Sequence, residues 1–355
     1  MDRKVNDMTC GLGNMGNSCY LNSTIQCLAH TAPLTEYIFS KKYIKDINNS
    51  NKETRFLDQY VKTLIYMWNN PKPAYPRTVK DLLAFFANEF EGNKQCDAHE
   101  SIIKIIDLLH ESLSYEASIK TINLDAIKHP SEVDKMMIAS FDAVRKHFKK
   151  SYSELVKIFY GQFHSIISCK NCDNKSITYD PFNCIEIEIP DDCDSLTECL
   201  DSFTNHEILD SNNEWKCDKC NKFSNAHKQI RFWSTPQILI IVLKRFKKIP
   251  IKITLSVERT KTLIANKKIT KLIDFPIGDF DIARYLNCPS RKYSTHYSLY
   301  SICNHMGSTD GGHYTAFCQN LDGNWYEYND ETVSKIDDSK LVSSNAYVLF
   351  YQRNT

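Results

Sequence analysis

Apolar positions in the first 160 residues recur at helical spacing. Leu21, Ile25 and Leu28, with Ala29, follow an i, i+4, i+7 rhythm. This predicts an amphipathic helix from Cys19 to about His30, opened by Asn17 and Ser18, two residue types that cap helices. The polar stretch from Lys45 to Arg55 reads as a loop. Helical periodicity returns over Phe56 to Trp68 and Val79 to Phe90. Ala98 to Leu113 sets Ile102, Ile105, Ile106 and Leu109 on one face. Further helical patterns run from Ser131 to about Tyr160, so this part of the chain is expected to be mainly α.

After Gly161 the period shortens to two. Ser165 to Ser168 and Cys184 to Ile189 alternate as half-buried strands do. Ser195-Leu-Thr-Glu198 has the form of a capping box and predicts a short helix to about Phe203. Gln237 to Phe246 reads as a continuous apolar strand, and strands dominate from there to the end. Ile249 to Lys271, rich in Lys, Thr and Ile, is expected to form an extended insertion or a long hairpin. No internal repeat of 20–50 residues is visible.

Composition narrows the class. The 355 residues are 42% apolar and 25% charged, as in soluble globular proteins. Lys and Arg number 44 against 43 Asp and Glu, a net charge of +1. No global basic excess predicts a strong nucleic-acid footprint, although a local basic patch fits within that total. Fourteen cysteines stand out. The first residues lack a secretory apolar stretch, and the longest strongly apolar run, Ile238 to Leu243, falls far short of the ~20 residues a membrane helix needs. The expected setting is therefore intracellular, cytoplasmic or nuclear, where thiols stay free, bind metal or do chemistry.

Three constellations could use such thiols. Cys19 follows Gly11-Leu-Gly-Asn14-Met-Gly16-Asn17-Ser18 and opens the first helix. At a helix N-terminus the backbone dipole favours a thiolate. Asn14 lies close enough to offer an amide to an oxyanion. A lone cysteine there would otherwise be a small buried apolar residue. A nucleophilic cysteine also needs a histidine with an orienting Asn or Asp. His313 follows Gly311-Gly312 at the start of a predicted strand, and an aromatic strand from Asn324 returns to end at Asn329-Asp330, either of which could meet the imidazole. Taken singly, His313 would be structural and Asn329-Asp330 a turn.

The second constellation is the pair Cys169-x-x-Cys172 and Cys217-x-x-Cys220, with forty-four residues between them. Four thiolates make a closed tetrahedral structural zinc site; the alternative is four reduced cysteines. In the third, Gln95, Asp97 and Glu100 open a helix, with two carboxylates one turn apart that could receive a cation or serve as ordinary helix-start acids.

Together the blocks GLGNMGNSCYLNSTIQCL, Gln95-Cys-Asp97-Ala-His-Glu100 and GGHYTAF…NWYEYNDETV closely resemble the ubiquitin-specific protease family of cysteine deubiquitinases, with supporting matches at Pro236–Phe246 and at Phe275-Pro276. The resemblance runs from Gly11 to Tyr351. It implies Cys19 as nucleophile, His313 as general base and acid, Asn14 as oxyanion donor, and Asn329 as third member, with Asp330 also supporting the site. Which of Asn329 and Asp330 orients His313 stays open. Ser18 stands where the family more often has Thr. Gln95, Asp97 and Glu100 would face the arginine-containing ubiquitin tail, Gly311 and Gly312 would line a narrow channel for its Gly-Gly end, and Tyr314 would also bind substrate.

The implied fold is α+β, a papain-like hand forming one catalytic domain over 1–355. Its α thumb would span 11–160, zinc-binding β fingers 161–235 and a β-rich palm 236–355, with one structural zinc ion. The implied activity is hydrolysis of the (iso)peptide bond after the C-terminal glycine of ubiquitin through a thioester. Expected partners are ubiquitin and ubiquitinated proteins, with no nucleic acid or membrane, and the chain is expected to act as a monomer. The alternatives are a protease for another ubiquitin-like modifier and a catalytically silent ubiquitin-binding module.

Overall fold

The computed structural model describes residues 8–118, 121, 127–172, 174–210, 213–256, 259–289, 293–308 and 311–355. Eight helices are seen there: α1 (Cys19–Ala29), α2 (Ala32–Phe39), α3 (Thr54–Asn69), α4 (Arg77–Phe86), α5 (Ala98–Leu113), α6 (Glu132–Phe148), α7 (Glu154–Phe159) and α8 (Leu196–Thr204). None is long and apolar enough to cross a membrane.

Helix α5 matches its pattern closely. Asp97 caps it by accepting the His99 N–H at 2.8 Å, and Ile102, Ile105, Ile106 and Leu109 are all buried. Helix α1 departs from the amphipathic expectation because all eleven of its residues are buried. Several of its polar groups are tolerated inside because they find partners. Gln26 Nε2 donates to the Cys10 carbonyl at 2.8 Å, and the Thr24 hydroxyl donates to the Tyr20 carbonyl at 2.8 Å. The helical run predicted from Ser131 to Tyr160 is split between α6 and α7. Tyr152 there exchanges two 3.0 Å backbone hydrogen bonds with Tyr115, which takes its N–H and C=O out of any helix.

The strands begin at Gly161. They are β1 (Gly161–Cys169), β2 (Lys175–Phe182), β3 (Ile185–Ile187), β4 (Glu207–Leu209), β5 (Trp215–Cys217), β6 (Lys222–Ser224), β7 (Ala226–Ser234) and β8 (Ile238–Leu243). There follow β9 (Phe246–Ser256), β10 (Arg259–Lys268), β11 (Phe280–Asp281), β12 (His296–Gly307), β13 (Gly312–Gln319), β14 (Trp325–Asn329), β15 (Thr332–Ile336) and β16 (Ala346–Arg353). A central sheet runs β15-β14-β13-β12-β16-β8-β3, with β11 added beside β12. Only β3 and β8 in it are parallel. A second sheet, β2-β1-β7-β4, carries the β5–β6 hairpin at its end, and β9–β10 stands as a separate ribbon.

Strand β8 is apolar throughout because both its faces are covered. Ile238, Ile240 and Val242 join the core shared with the helices. Leu239, Ile241 and Leu243 join a second core beneath α8. Helix α1 lies against β12, β13 and β14 on one side and α5 on the other. This sandwich puts the helix start beside the strand that carries His313.

Candidate active site

The segment before α1 is tied to the β14–β15 turn. The Leu12 N–H donates to the Asp330 carbonyl at 2.8 Å, and Gly11 runs so close to Glu331 that a Cβ there would overlap its backbone. Asp330 adopts a positive φ of 50°, in the left-handed region that Asp tolerates better than most side chains. The turn thereby aims its carboxylate at the loop. One oxygen accepts from Asn14 Nδ2 at 2.9 Å and the other from Asn22 Nδ2 at 2.7 Å. Asn14 Oδ1 accepts the N–H groups of Gly16 at 3.0 Å and Ser18 at 3.3 Å. The Asn14 amide is therefore held at both ends, with one of its two N–H bonds committed to Asp330.

Ser18 occupies the N-cap position but does not cap α1 with its side chain. Its hydroxyl instead accepts the Met15 N–H at 2.8 Å and stiffens the loop. From below, the largely buried Lys80 ammonium donates to the carbonyls of Met15 at 3.3 Å and Gly16 at 3.1 Å.

His313 is the second residue of β13. Its Nε2–H donates to Asn329 Oδ1 at 2.7 Å across the β13–β14 hairpin. An amide oxygen only accepts, so this bond fixes the tautomer and leaves Nδ1 with a lone pair for a proton. Asn329 is thus the residue on the imidazole, while Asp330 serves the asparagines.

Cys19 is 5% exposed. Burial pushes its thiol pKa up, the Tyr314 N–H pulls it down, and the Asp330 carboxylate pushes it up again, leaving it above the ordinary value. The shift runs opposite to the one expected from the helix N-terminus, because desolvation outweighs it. Iodoacetamide labelling of Cys19 should keep rising with pH through neutrality into the alkaline range. A plateau already reached in mildly acidic buffer would show a preformed thiolate instead.

Gln95 bridges the segment before α5 to the start of β13. Its Nε2 donates to the Gly312 carbonyl at 3.1 Å, and its Oε1 accepts the Gly312 N–H at 2.9 Å. A Cβ on Gly312 would overlap the His305 ring, so the backbone passes tightly over that imidazole. His305 itself packs against Phe246 and Tyr314, and burial lowers its pKa to about 4, which keeps it neutral. Asp97, read either as a cation receptor or as a helix-start acid, caps its helix and is also engaged at both oxygens by the Tyr347 hydroxyl at 2.9 and 2.8 Å. Glu100, one turn on, is the exposed carboxylate of the pair, its pKa raised by partial burial and by Asp97.

Cys169, Cys172, Cys217 and Cys220 converge where β1 meets the β5–β6 hairpin, their sulfurs all within 4.8 Å of one another. The Cys169–Cys220 and Cys172–Cys217 sulfur separations are 4.0 and 3.6 Å. A tetrahedral ion with metal–sulfur bonds of ~2.3 Å needs sulfurs roughly 3.8 Å apart, so the group fits a metal ion.

Asn22, Lys80 and Tyr347 were not singled out from the sequence. Asn22 had a local signal, being three residues after Cys19 on the same helix. Lys80 and Tyr347 had none, since their partners lie 64 and 250 residues away.

A cysteine that opens a helix packed on the strand carrying an amide-bonded imidazole fits a papain-like cysteine protease fold. Residues 10–351 match the family described as ubiquitin carboxyl-terminal hydrolase, and the chain belongs to that family. It is 33% identical over 350 residues to ubiquitin carboxyl-terminal hydrolase Usp2 of Drosophila melanogaster, covering 97% of this chain and 35% of that protein. It is 29% identical over 363 residues to ubiquitin carboxyl-terminal hydrolase 2 of Bos taurus, covering 99% of this chain and 56% of that one. The chain thus spans about a third to a little over half the length of these relatives. Among solved structures it resembles the SAGA Ubp8/Sgf11/Sus1/Sgf73 DUB module bound to ubiquitin aldehyde, with a TM-score of 0.74 and 25% identity, over all of this chain and 71% of the other.

Proposed function

We propose that this chain is a deubiquitinating cysteine protease that cleaves the bond after the C-terminal glycine of ubiquitin. The observation that carries the reading is the His313–Asn329 bond on β13, the strand that packs against the helix opened by Cys19. In the proposed reaction His313 Nδ1 takes the Cys19 proton as Sγ attacks the glycine carbonyl carbon. The resulting oxyanion is met by Asn14 and backbone N–H groups, with Asp330 and Asn22 fixing the Asn14 amide. The imidazolium then protonates the departing lysine amine as the C–N bond breaks, leaving a thioester. Water, deprotonated by His313, attacks that thioester, and its collapse frees the ubiquitin carboxylate and returns the proton to Cys19.

Glu100 is read as the cation receptor for the arginine-bearing tail, with Asp97 holding its own helix end. Tail entry between Gln95 and Gly312 requires their two hydrogen bonds to open. The hand is divided as a thumb over 11–160, fingers over 161–235 and a palm over 236–355. The test uses ubiquitin carrying a C-terminal thiol-reactive warhead, beside other ubiquitin-like modifiers so armed. Labelling of Cys19 by ubiquitin is expected. No labelling by any of them would remove the enzyme reading, and preference for another modifier would replace ubiquitin as substrate.

The four-cysteine group is proposed to hold one structural zinc ion, which would tie β1 to the β5–β6 hairpin and supply no step of the reaction. Metal analysis should find one zinc per chain. Cys217→Ser should lose it and lower the melting temperature through the second sheet, because metal binding at such sites is folding free energy. A metal-free protein of unchanged stability would contradict this.

A further inference from the structure

Among the described residues no strand of either sheet pairs with the β9–β10 ribbon. Ten residue pairs hold it together, from Lys268 opposite Phe246 to Arg259 opposite Ser256. An isolated two-stranded ribbon is at best marginally stable in water, so one projecting from a domain invites a cover. Its charge indicates the cover's chemistry. From Phe246 to Lys268 the sequence holds six lysines and Arg259 against a single acid, Glu258, a net +6 in a chain whose total is +1. The rest of the molecule is therefore net acidic, and the positive charge is concentrated here.

The register sharpens the point. Lys247 lies directly opposite Lys267, an arrangement of like charges that destabilises a strand pair. Lys248 and Lys268 belong to the other face of the ribbon, so both faces carry cations at its root. The ammonium groups described at the root meet carbonyls: Lys247 donates to Ile189 at 3.3 Å, and Lys268 to His305 at 2.7 Å and Gly307 at 3.1 Å. The neighbouring ion pairs, Lys244–Glu188 and Lys271–Asp194, lie outside the ribbon. Lys248 and Lys267 are exposed.

The same Lys268 bonds locate the ribbon. His305 and Gly307 end β12, and the turn that follows leads to Gly312 and His313. The ribbon thus rises from the rim of the candidate active site, where a protein delivering a modified lysine would pass.

We propose that the β9–β10 ribbon is a docking arm for an acidic polypeptide segment of the protein to which ubiquitin is joined, a proposal that rests on the deubiquitinase reading. An acidic chain running along the ribbon would neutralise the opposed lysines and relieve their repulsion. A polypeptide is favoured over nucleic acid because the arm stands at a protease cleft and the rest of the chain is net acidic, which would repel a phosphate backbone beyond the ribbon.

The test needs both binding and turnover. A fluorescent Glu-rich peptide should bind the full chain in low salt, weaken as salt rises, and lose most of its affinity in the double variant Lys248→Glu/Lys267→Glu, whose fold is checked by thermal unfolding against Lys248→Gln/Lys267→Gln. In turnover, ubiquitin joined to that peptide should be cleaved with kcat/KM about tenfold above ubiquitin joined to a neutral peptide. The advantage should vanish in the charge-reversed variant while ubiquitin with a small uncharged leaving group is cleaved as before.

Lysines on exposed edges also discourage strand addition. Charge reversal keeps that protection, so peptide binding that survives reversal overturns the proposal. It is equally overturned by an equal fall with the small leaving group, which would mean that the ribbon reads ubiquitin itself. Tighter binding of duplex DNA or RNA than of the peptide, lost on reversal, would assign the arm to nucleic acid instead. The peptide-binding measurement is independent of catalysis, so failure of the deubiquitinase reading and failure of the arm give different results.

Discussion

Cys19→Ala is expected to leave a folded protein that retains ubiquitin and cannot cleave it. The sulfur sits at the first turn of a helix whose residues are all buried, and alanine is smaller and a better helix former, so α1 should persist. Without a nucleophile the rate should fall by roughly 10⁶, the scale seen when a protease loses its attacking residue. Calorimetric titration with ubiquitin should still give binding, because the exposed Glu100 and the cleft walls are untouched. Turnover above about a thousandth of wild type would mean that another group performs the attack, and the reading of Cys19 would be lost.

Asn14→Ala is expected to lower kcat by about 10²–10³, or ~2.7–4 kcal/mol of transition-state stabilisation, with KM little changed. The side chain donates to Asp330 and accepts from Gly16 and Ser18, so its removal also frees the loop before Cys19. Two measurements separate these effects. If the loss is in oxyanion stabilisation, iodoacetamide labelling of Cys19 stays near wild type while turnover collapses. If the loop has moved, both fall together. Asp330→Ala should reproduce much of the defect, and adding it to Asn14→Ala should cost little more, since both changes break one shared bond. Fully additive losses would show that Asp330 acts elsewhere.

Local patterns carried much of the fold. The 3.6-residue rhythm found α5 at both ends, because Asp97 is a cap by residue type and the apolar stripe needs no distant information. The Ser195–Glu198 capping box likewise appears as read, with the Ser195 hydroxyl accepting the Glu198 N–H at 3.2 Å. The long insertion resolves into the β9–β10 hairpin, although its turn, 257–258, lies outside the described residues. Where the pattern misled, the missing term was an environment. Helix α1 looked half exposed because Asn22, Ser23 and Gln26 are polar, and only the surrounding elements bury them and give Asn22 and Gln26 the acceptors Asp330 and Cys10.

The sequence by itself determined which residue types could do chemistry and in what order: a cysteine opening a helix, a histidine behind two glycines, an amide and a carboxylate closing a hairpin, and two pairs of thiols. Those are matters of side-chain identity and short spacing. Only the tertiary structure decided their partnerships. It gave the imidazole to Asn329 and the Asp330 carboxylate to Asn14 and Asn22, joined Gln95 to Gly312, and occupied Asp97 with Tyr347. It also set the direction in which the Cys19 thiol shifts, because burial outweighs the helix terminus. These outcomes depend on groups up to 316 residues apart meeting at hydrogen-bond distance. The free energies of burial and pairing that govern them exist only once the sheet and helices have packed.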